Sequence, residues 1–226
     1  MTVLVIAPHA DDEVLGLGGV ISRLSSEGHE VVVAVLTGHG EEPHPLWPRE
    51  NWTVVREECL AAANVMGVAS VRFFELPAAC LDVTPAWQIN DVVAKLVSEV
   101  RPSSVYIPFS FDLHKDHGAI AYAVNVATRP YLPTAKDIIR VLAYETLSET
   151  HLAPPYLAPA FQPNVFVDIS AYLERKLSAM AAYKSQLQPD GFPRSLSNIE
   201  ALARLRGAHI GVKAAEAFVL LGEYLR

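Results

Sequence analysis

Short apolar runs alternate along the chain with segments whose apolar residues recur every three or four positions. Residues 3–7 form a continuous apolar run, the pattern of a strand buried on both faces. From Asp12 to about Glu27, Val14, Leu17, Ile21 and Leu24 fall at helical spacing, and Gly28 closes the helix. The alternation continues with strands over 31–36, 71–76, 105–108, 138–144 and 165–169. Helices fall between them over about 53–66, 85–100 and 117–128. Residues 171–186 and 195–222 read as two further helices, the second broken near Gly211. Strand–helix alternation predicts an α/β fold: a single Rossmann-like three-layer domain over 1–226, its sheet mostly parallel and covered by helices on both faces. The two longest loops, 37–52 and 147–163, carry Pro and His and are candidate site walls.

Composition narrows the class. Of 226 residues, 51% are hydrophobic and only 19% charged, so the chain has core material for a large domain and cannot be intrinsically disordered. A net charge of −7 argues against a non-specific nucleic-acid binder. No apolar stretch reaches the roughly 18 residues of a membrane span. Residues 1–7 enter a strand without a basic leader, so no signal peptide is expected. Cys59 and Cys80 stand at no metal-like spacing and read as core thiols of a reducing compartment. These features predict a soluble, cytoplasmic single domain and leave its oligomeric state open, a homo-oligomer included.

The chemistry concentrates at two strand ends. The first strand runs into Pro8-His9-Ala10-Asp11-Asp12-Glu13, and the fourth into Asp112-Leu113-His114-Lys115-Asp116-His117. In a doubly wound sheet these strands are neighbours at the point where strand order reverses, which is where ligands bind. The two His/Asp clusters should therefore face each other. Two imidazoles and a carboxylate suit catalytic zinc, with the fourth position left for water, although the same ligand types admit Fe2+ or another divalent metal. Adjacent Asp11 and Asp12 cannot both point at one ion, so one carboxylate should bind metal and the other take a proton. His114 and His117 can share that division, one on the metal and one on a substrate oxygen. A capped helix start would explain Asp12 and Glu13 but needs no histidine. Gly16-Leu17-Gly18-Gly19 lies too far beyond the strand to cradle a pyrophosphate and reads as close helix packing. Arg56 is solvated charge by default, or else reaches a hydroxyl-rich substrate. Tyr144-Glu145 is either a site wall or structural.

These residues resemble the LmbE-like or PIG-L family of zinc-dependent N-acetylglucosaminyl deacetylases. Pro8-His9-Ala10-Asp11-Asp12-Glu13 is similar to the family pattern PHPDDE, and His114-Lys115-Asp116-His117 to its HxDH. Similarity continues through Arg56-Glu57-Glu58, Tyr144-Glu145-Thr146, Lys176, Tyr183-Lys184-Ser185-Gln186 and Ala215-Glu216-Ala217-Phe218. The resemblance implies metal on His9, Asp12 and His117, Asp11 as general base, and His114 stabilising or protonating the tetrahedral intermediate. It implies removal of acetyl from an N-acetyl amino sugar. An amidase for a non-sugar or non-acetyl amide is the alternative, and a non-hydrolytic nucleotide-binding domain or a metal-stabilised binding protein would be of another class. Two departures stand out. Ala10 replaces the usual proline, and Leu76-Pro77-Ala78-Ala79 stands where many relatives read LPDG, so Asp82 becomes a candidate to replace the missing carboxylate.

Overall fold

A computed structural model describes residues 1–40 and 44–226. In chain order the strands and helices are β1 (Thr2–Ala7), α1 (Asp12–Ser26), β2 (Glu30–Gly38), α2 (Arg49–Met66), β3 (Ser70–Pro77), α3 (Ala86–Val100), β4 (Ser104–Pro108), α4 (Lys115–Ala127), β5 (Arg140–Tyr144), β6 (Val165–Asp168), α5 (Leu173–Ala182), α6 (Leu196–Ala208) and β7 (Ala215–Glu223). All seven strands join one sheet in the order β3-β2-β1-β4-β5-β7-β6. The first five are mutually parallel, and β7 runs antiparallel to both of its neighbours. This is the expected three-layer α/β arrangement. Order reverses between β1 and β4, whose pairing sets Val3 opposite Ser104 and Val5 opposite Tyr106.

Strand alternation builds two cores. Val3, Val5 and Ala7 of β1 face α1, α2, α5 and α6, whereas Leu4 and Ile6 face α3 and α4. Both faces of β1 are therefore apolar, which is why its sequence is an unbroken run. The glycines of α1 serve packing, as expected. A side chain at Gly16 would overlap the Tyr144 ring, and one at Gly19 would meet Ile169 at 2.6 Å. Tyr144 is fully buried, and its hydroxyl donates to the Ile6 carbonyl at 2.9 Å, so its role is structural.

Two expectations need correction. The stretch 195–222 is not one broken helix: α6 ends at Ala208, and Ala215–Glu223 is β7, inserted between β5 and β6. The stretch 171–186 is helical only over Leu173–Ala182, after which the chain turns toward the carboxyl ends of the strands.

β7 also stabilises α1. That helix is interrupted at Leu17, whose φ of −152° and ψ of 27° leave helical space. The interruption strands the backbone groups of two helix ends inside the core, where each must find a partner. Glu216 of β7 accepts from the Gly19 and Val20 amides at 3.0 and 2.7 Å. Lys176 of α5 donates to the Leu15 carbonyl at 2.9 Å and to Glu216 at 2.5 Å. The pair is almost fully buried, so removing one partner leaves a desolvated charge. We expect Glu216→Ala to cost about 3–5 kcal/mol in urea unfolding with an unchanged m-value. Replacing Lys176 and Glu216 together by Met and Leu should leave the protein destabilised, because the Gly19 and Val20 amides and the Leu15 carbonyl lose their partners.

Candidate metal centre and active site

The turn after β1 brings Asp11 and Asp12 to the switch point with their side chains apart. Thr37 at the end of β2 holds the turn by donating from its hydroxyl to the Pro8 carbonyl at 2.7 Å. Asp11 takes φ 125° and ψ −24°, a conformation that costs a non-glycine residue of order 1–3 kcal/mol. The Glu13 carboxylate accepts from the Asp11 amide at 3.1 Å and from the Tyr183 hydroxyl, which fixes the strained peptide from below. The Asp11 side chain makes no capping bond to α1, so helix capping does not account for it. The two carboxylates diverge: Asp12 points at His9 and His117, and Asp11 at Arg194.

The α4 start presents the second cluster. His114 occupies the N-cap, and its Nδ1 accepts from the Asp116 amide at 3.2 Å. Nδ1 being an acceptor, the neutral ring carries its proton on Nε2, and burial, helped by the positive His9, lowers the His114 pKa to about 4. One helical turn on, His117 is fully buried. Its Nδ1 pairs with Asp112 at 2.8 Å, and its Nε2 has no protein hydrogen-bond partner.

Among the described residues, two triads place their donor atoms within 4.8 Å of one another: His9, Asp12 and His117, and His9, His114 and Asp116. The second is already committed. Asp116 accepts from the Ala79 and Leu81 amides at 2.6 and 3.1 Å and pairs with His9 Nε2 at 3.0 Å, while His114 Nδ1 serves the cap. The first triad has the features of a metal site. Ligand atoms about 2.0–2.2 Å from a tetrahedral ion stand roughly 3.4 Å apart. Asp12 Oδ2 lies 3.4 Å from His9 Nδ1 and 3.3 Å from His117 Nε2. Each imidazole turns its other nitrogen to a carboxylate, Asp116 for His9 and Asp112 for His117, the support that orients metal-bound histidines. The unpartnered His117 Nε2 points to the same role. His9, Asp12 and His117 could therefore hold a metal ion.

Electrostatics agree. Burial opposes ionisation of Asp12, but the His117 and His9 rings overcome it and hold the carboxyl well below its usual range. Burial likewise pulls both imidazoles down, and the carboxylates around them win, raising His117 to about 10 and His9 to about 9. Asp11 moves the other way. Burial first and then the Asp12 charge push it up to about 8 against the opposing charge of Arg194.

The triad lines a cavity of about 330 Å³ together with Trp47, Trp52, Arg56, Glu149, Gln186 and Arg194. Both long loops contribute walls as expected, although residues 41–43 lie outside the described residues. Arg56 is at the wall but not free: it pairs with Glu75 at 2.8 Å and donates to the Phe74 carbonyl at 3.1 Å. Asp82 is exposed and is not among the lining residues. Ala79 has φ 57°, the left-handed region that favours the glycine of LPDG. Glu145 is held by Arg206 and His151 away from this cavity.

Sequence reasoning missed Arg194, which approaches Asp11 Oδ2 at 3.2 Å from the segment between α5 and α6. It also gave no role to Asp112 or Asp116. A carboxylate five residues before a candidate ligand was the signal for Asp112; nothing local marks Arg194.

The family model described as PIG-L: GlcNAc-PI de-N-acetylase matches residues 4–128. The chain belongs to that family. It is 27% identical over 223 residues to the diacetylchitobiose deacetylase of Thermococcus kodakarensis, covering 95% of this chain and 80% of that one. It is 28% identical to the 1D-myo-inositol 2-acetamido-2-deoxy-alpha-D-glucopyranoside deacetylase of Mycobacteroides abscessus, over 88% of this chain and 87% of that one. Among solved structures, the conserved protein TT1542 from Thermus thermophilus superposes with a TM-score of 0.78 at 27% identity, over 99% of this chain and 96% of that one.

Two outcomes test the metal centre. Asp112→Ala should keep the fold and weaken metal affinity about 10- to 100-fold, whereas His117→Ala should abolish stoichiometric binding, both read by metal analysis after dialysis. Because the free imidazoles hold protons up to about pH 9 and 10, a metal must displace them. Affinity should then rise as pH rises from 6 to 9, about tenfold per unit for each proton displaced. Titration calorimetry in buffers of different ionisation enthalpy would detect that release.

Proposed function

We propose that this PIG-L family member is a metal-dependent hydrolase that removes the acetyl group from an N-acetylated amino sugar or its conjugate. The observation that carries the reading is the convergence of His9, Asp12 and His117 in one cavity, with Asp11 turned aside from them into the same space. Relatives named as deacetylases of acetamido sugars support the substrate class. Zinc is the best match to two imidazoles and one carboxylate, and Fe2+ would accept the same set.

A divalent ion held by these three residues would polarise the amide carbonyl and acidify the attacking water. The chain's own groups do the rest. Asp11, poised near neutral pH and not a ligand, accepts the proton of the attacking water at its carboxylate as the new C–O bond forms. The Nε2–H of His114 donates to the oxygen on which negative charge develops, a donor that its capping bond has already oriented. As the C–N bond breaks, protonated Asp11 returns its proton to the leaving amine, and acetate and the free amino sugar are released. Arg194 favours the carboxylate form of Asp11 and limits, without overcoming, the push of burial and Asp12. Arg56 contacts the sugar at the wall with the guanidinium donors that Glu75 does not use.

The adjacent carboxylates give the sharpest test. Asp11→Asn keeps shape but cannot accept a proton, so it should bind metal and substrate with turnover lowered by about 100-fold or more. Asp12→Asn should instead weaken metal binding, with acetate release partly recovered at high zinc. If Asp11→Asn is the variant rescued by zinc, the two roles must be exchanged. His114→Ala should retain the metal and lose about 100- to 1,000-fold in turnover. In Arg194→Ala the opposing charge is gone, Asp11 titrates higher, and the acid limb of kcat/KM should move to higher pH.

A further inference from the structure

One wall of the cavity has no part in hydrolysing an amide. Trp47, Asn51, Trp52 and Val55, at the entry to α2, line the same space as the metal-ligand triad. The Trp47 ring stacks on His44 with centroids 5.2 Å apart and planes 25° from parallel. Trp52 meets His44 and Trp47 edge-on at 5.6 and 6.0 Å. His44 is pinned at both nitrogens: Nδ1 accepts from the Leu46 and Trp47 amides at 3.2 and 3.3 Å, and Nε2 donates to the Ala78 carbonyl at 2.8 Å. The aromatic group is thus rigid and tied to the turn after β3, where Ala78 supplies no carboxylate.

A satellite core would bury its largest ring. Trp47 instead stays 41% exposed while lining the cavity. Exposure grades along the wall: Asp12 and His117 are buried, His9 and Trp52 are half-buried, and Trp47 is exposed. An acetamide seated at the triad shares its cavity with the two indoles. A pyranose presents an apolar C–H face with hydroxyls around its rim, and the exposed Asn51 amide beside the indoles can take such a hydroxyl. An alkyl chain would cover that amide without giving it a partner. We propose that Trp47 and Trp52 form a subsite for a second pyranose ring, so that the substrate is an N-acetylated amino sugar carrying a further sugar. The proposal rests on the deacetylase reading above.

The test compares acetate release by the zinc-loaded full chain from N-acetylglucosamine, N,N′-diacetylchitobiose and octyl N-acetylglucosaminide. Wild type should favour the disaccharide over the monosaccharide in kcat/KM by about tenfold or more, the scale of one stacking anchor. Trp47→Ala should remove that preference by lowering kcat/KM for the disaccharide far more than for the monosaccharide, and Trp47→Phe should keep part of it. Equal use of the two sugars, a preference untouched by Trp47→Ala, or a preference for the octyl glycoside over the disaccharide would overturn the subsite. Thermal unfolding shows whether each variant is folded, and Trp47→Phe stands in if Trp47→Ala is not. If no sugar releases acetate, the deacetylase reading fails, and disaccharide quenching of tryptophan fluorescence still judges the subsite. Saturable quenching weakened about tenfold in Trp47→Ala sustains it, and absence of quenching overturns it.

Discussion

A carboxylate removed from water must have a cation at contact, and Asp12 is the carboxylate around which this site is arranged. It is 2% exposed, and it is ionised because two imidazoles face it. Each of those rings turns a second nitrogen to a further carboxylate, so negative charge surrounds the pair on three sides. A divalent cation in place of the two imidazole protons would keep that charge balance and give the His117 Nε2 a partner. Ligand spacing and the unpartnered nitrogen both point to one atom-sized position that a metal could fill.

Holding that cluster together is a problem of backbone, and the fold solves it at some distance. His9 to Glu13 hang between β1 and a helix that breaks at Leu17. Gly16, Gly18 and Gly19 weaken the helix around that break. Glu216 and Lys176 take the stranded backbone groups on either side of the break, and Tyr144 fills the space that Gly16 leaves open. Glu13 completes the support at the other end, its carboxylate joining the strained Asp11 peptide to Tyr183. The C-terminal third, which carries Lys176, Tyr183, Arg194 and Glu216, supplies no metal ligand in the triad. It supports the backbone on which the triad stands.

That division explains what the sequence could reveal. β1 and β4 are buried on both faces, so they appear as plain apolar runs, and the clusters at their ends are visible because His and Asp seldom follow such runs without a use. Strand order then places the clusters together by topology alone. β7 escaped because burial erases the alternation that marks a strand: Ala215 to Phe218 are all buried, and Ala, Glu and Leu are helix formers. Tertiary pairing between β5 and β6 overrides that preference. Arg194 could not be read at all. It lies 183 positions from Asp11, and only the turn after α5 brings the two within 3.2 Å.

The two histidines of the α4 start show how backbone geometry separates chemical roles that composition leaves equal. Both stand on one short motif, three positions apart, and both line the cavity. His114 spends Nδ1 on capping the helix, so its remaining nitrogen keeps its proton and faces a ligand as a donor. His117 spends Nδ1 on Asp112, so its Nε2 is the nitrogen left to face a cation. A donor and a ligand are opposite needs, one requiring the proton and the other its removal. The local cap and the distant carboxylate satisfy each need without any difference in residue type. An Asp two residues after the first histidine contributes as well, since the amide that His114 caps belongs to Asp116, the residue that orients His9. One turn of helix therefore carries the proposed oxyanion donor, one candidate metal ligand and the carboxylate that supports another.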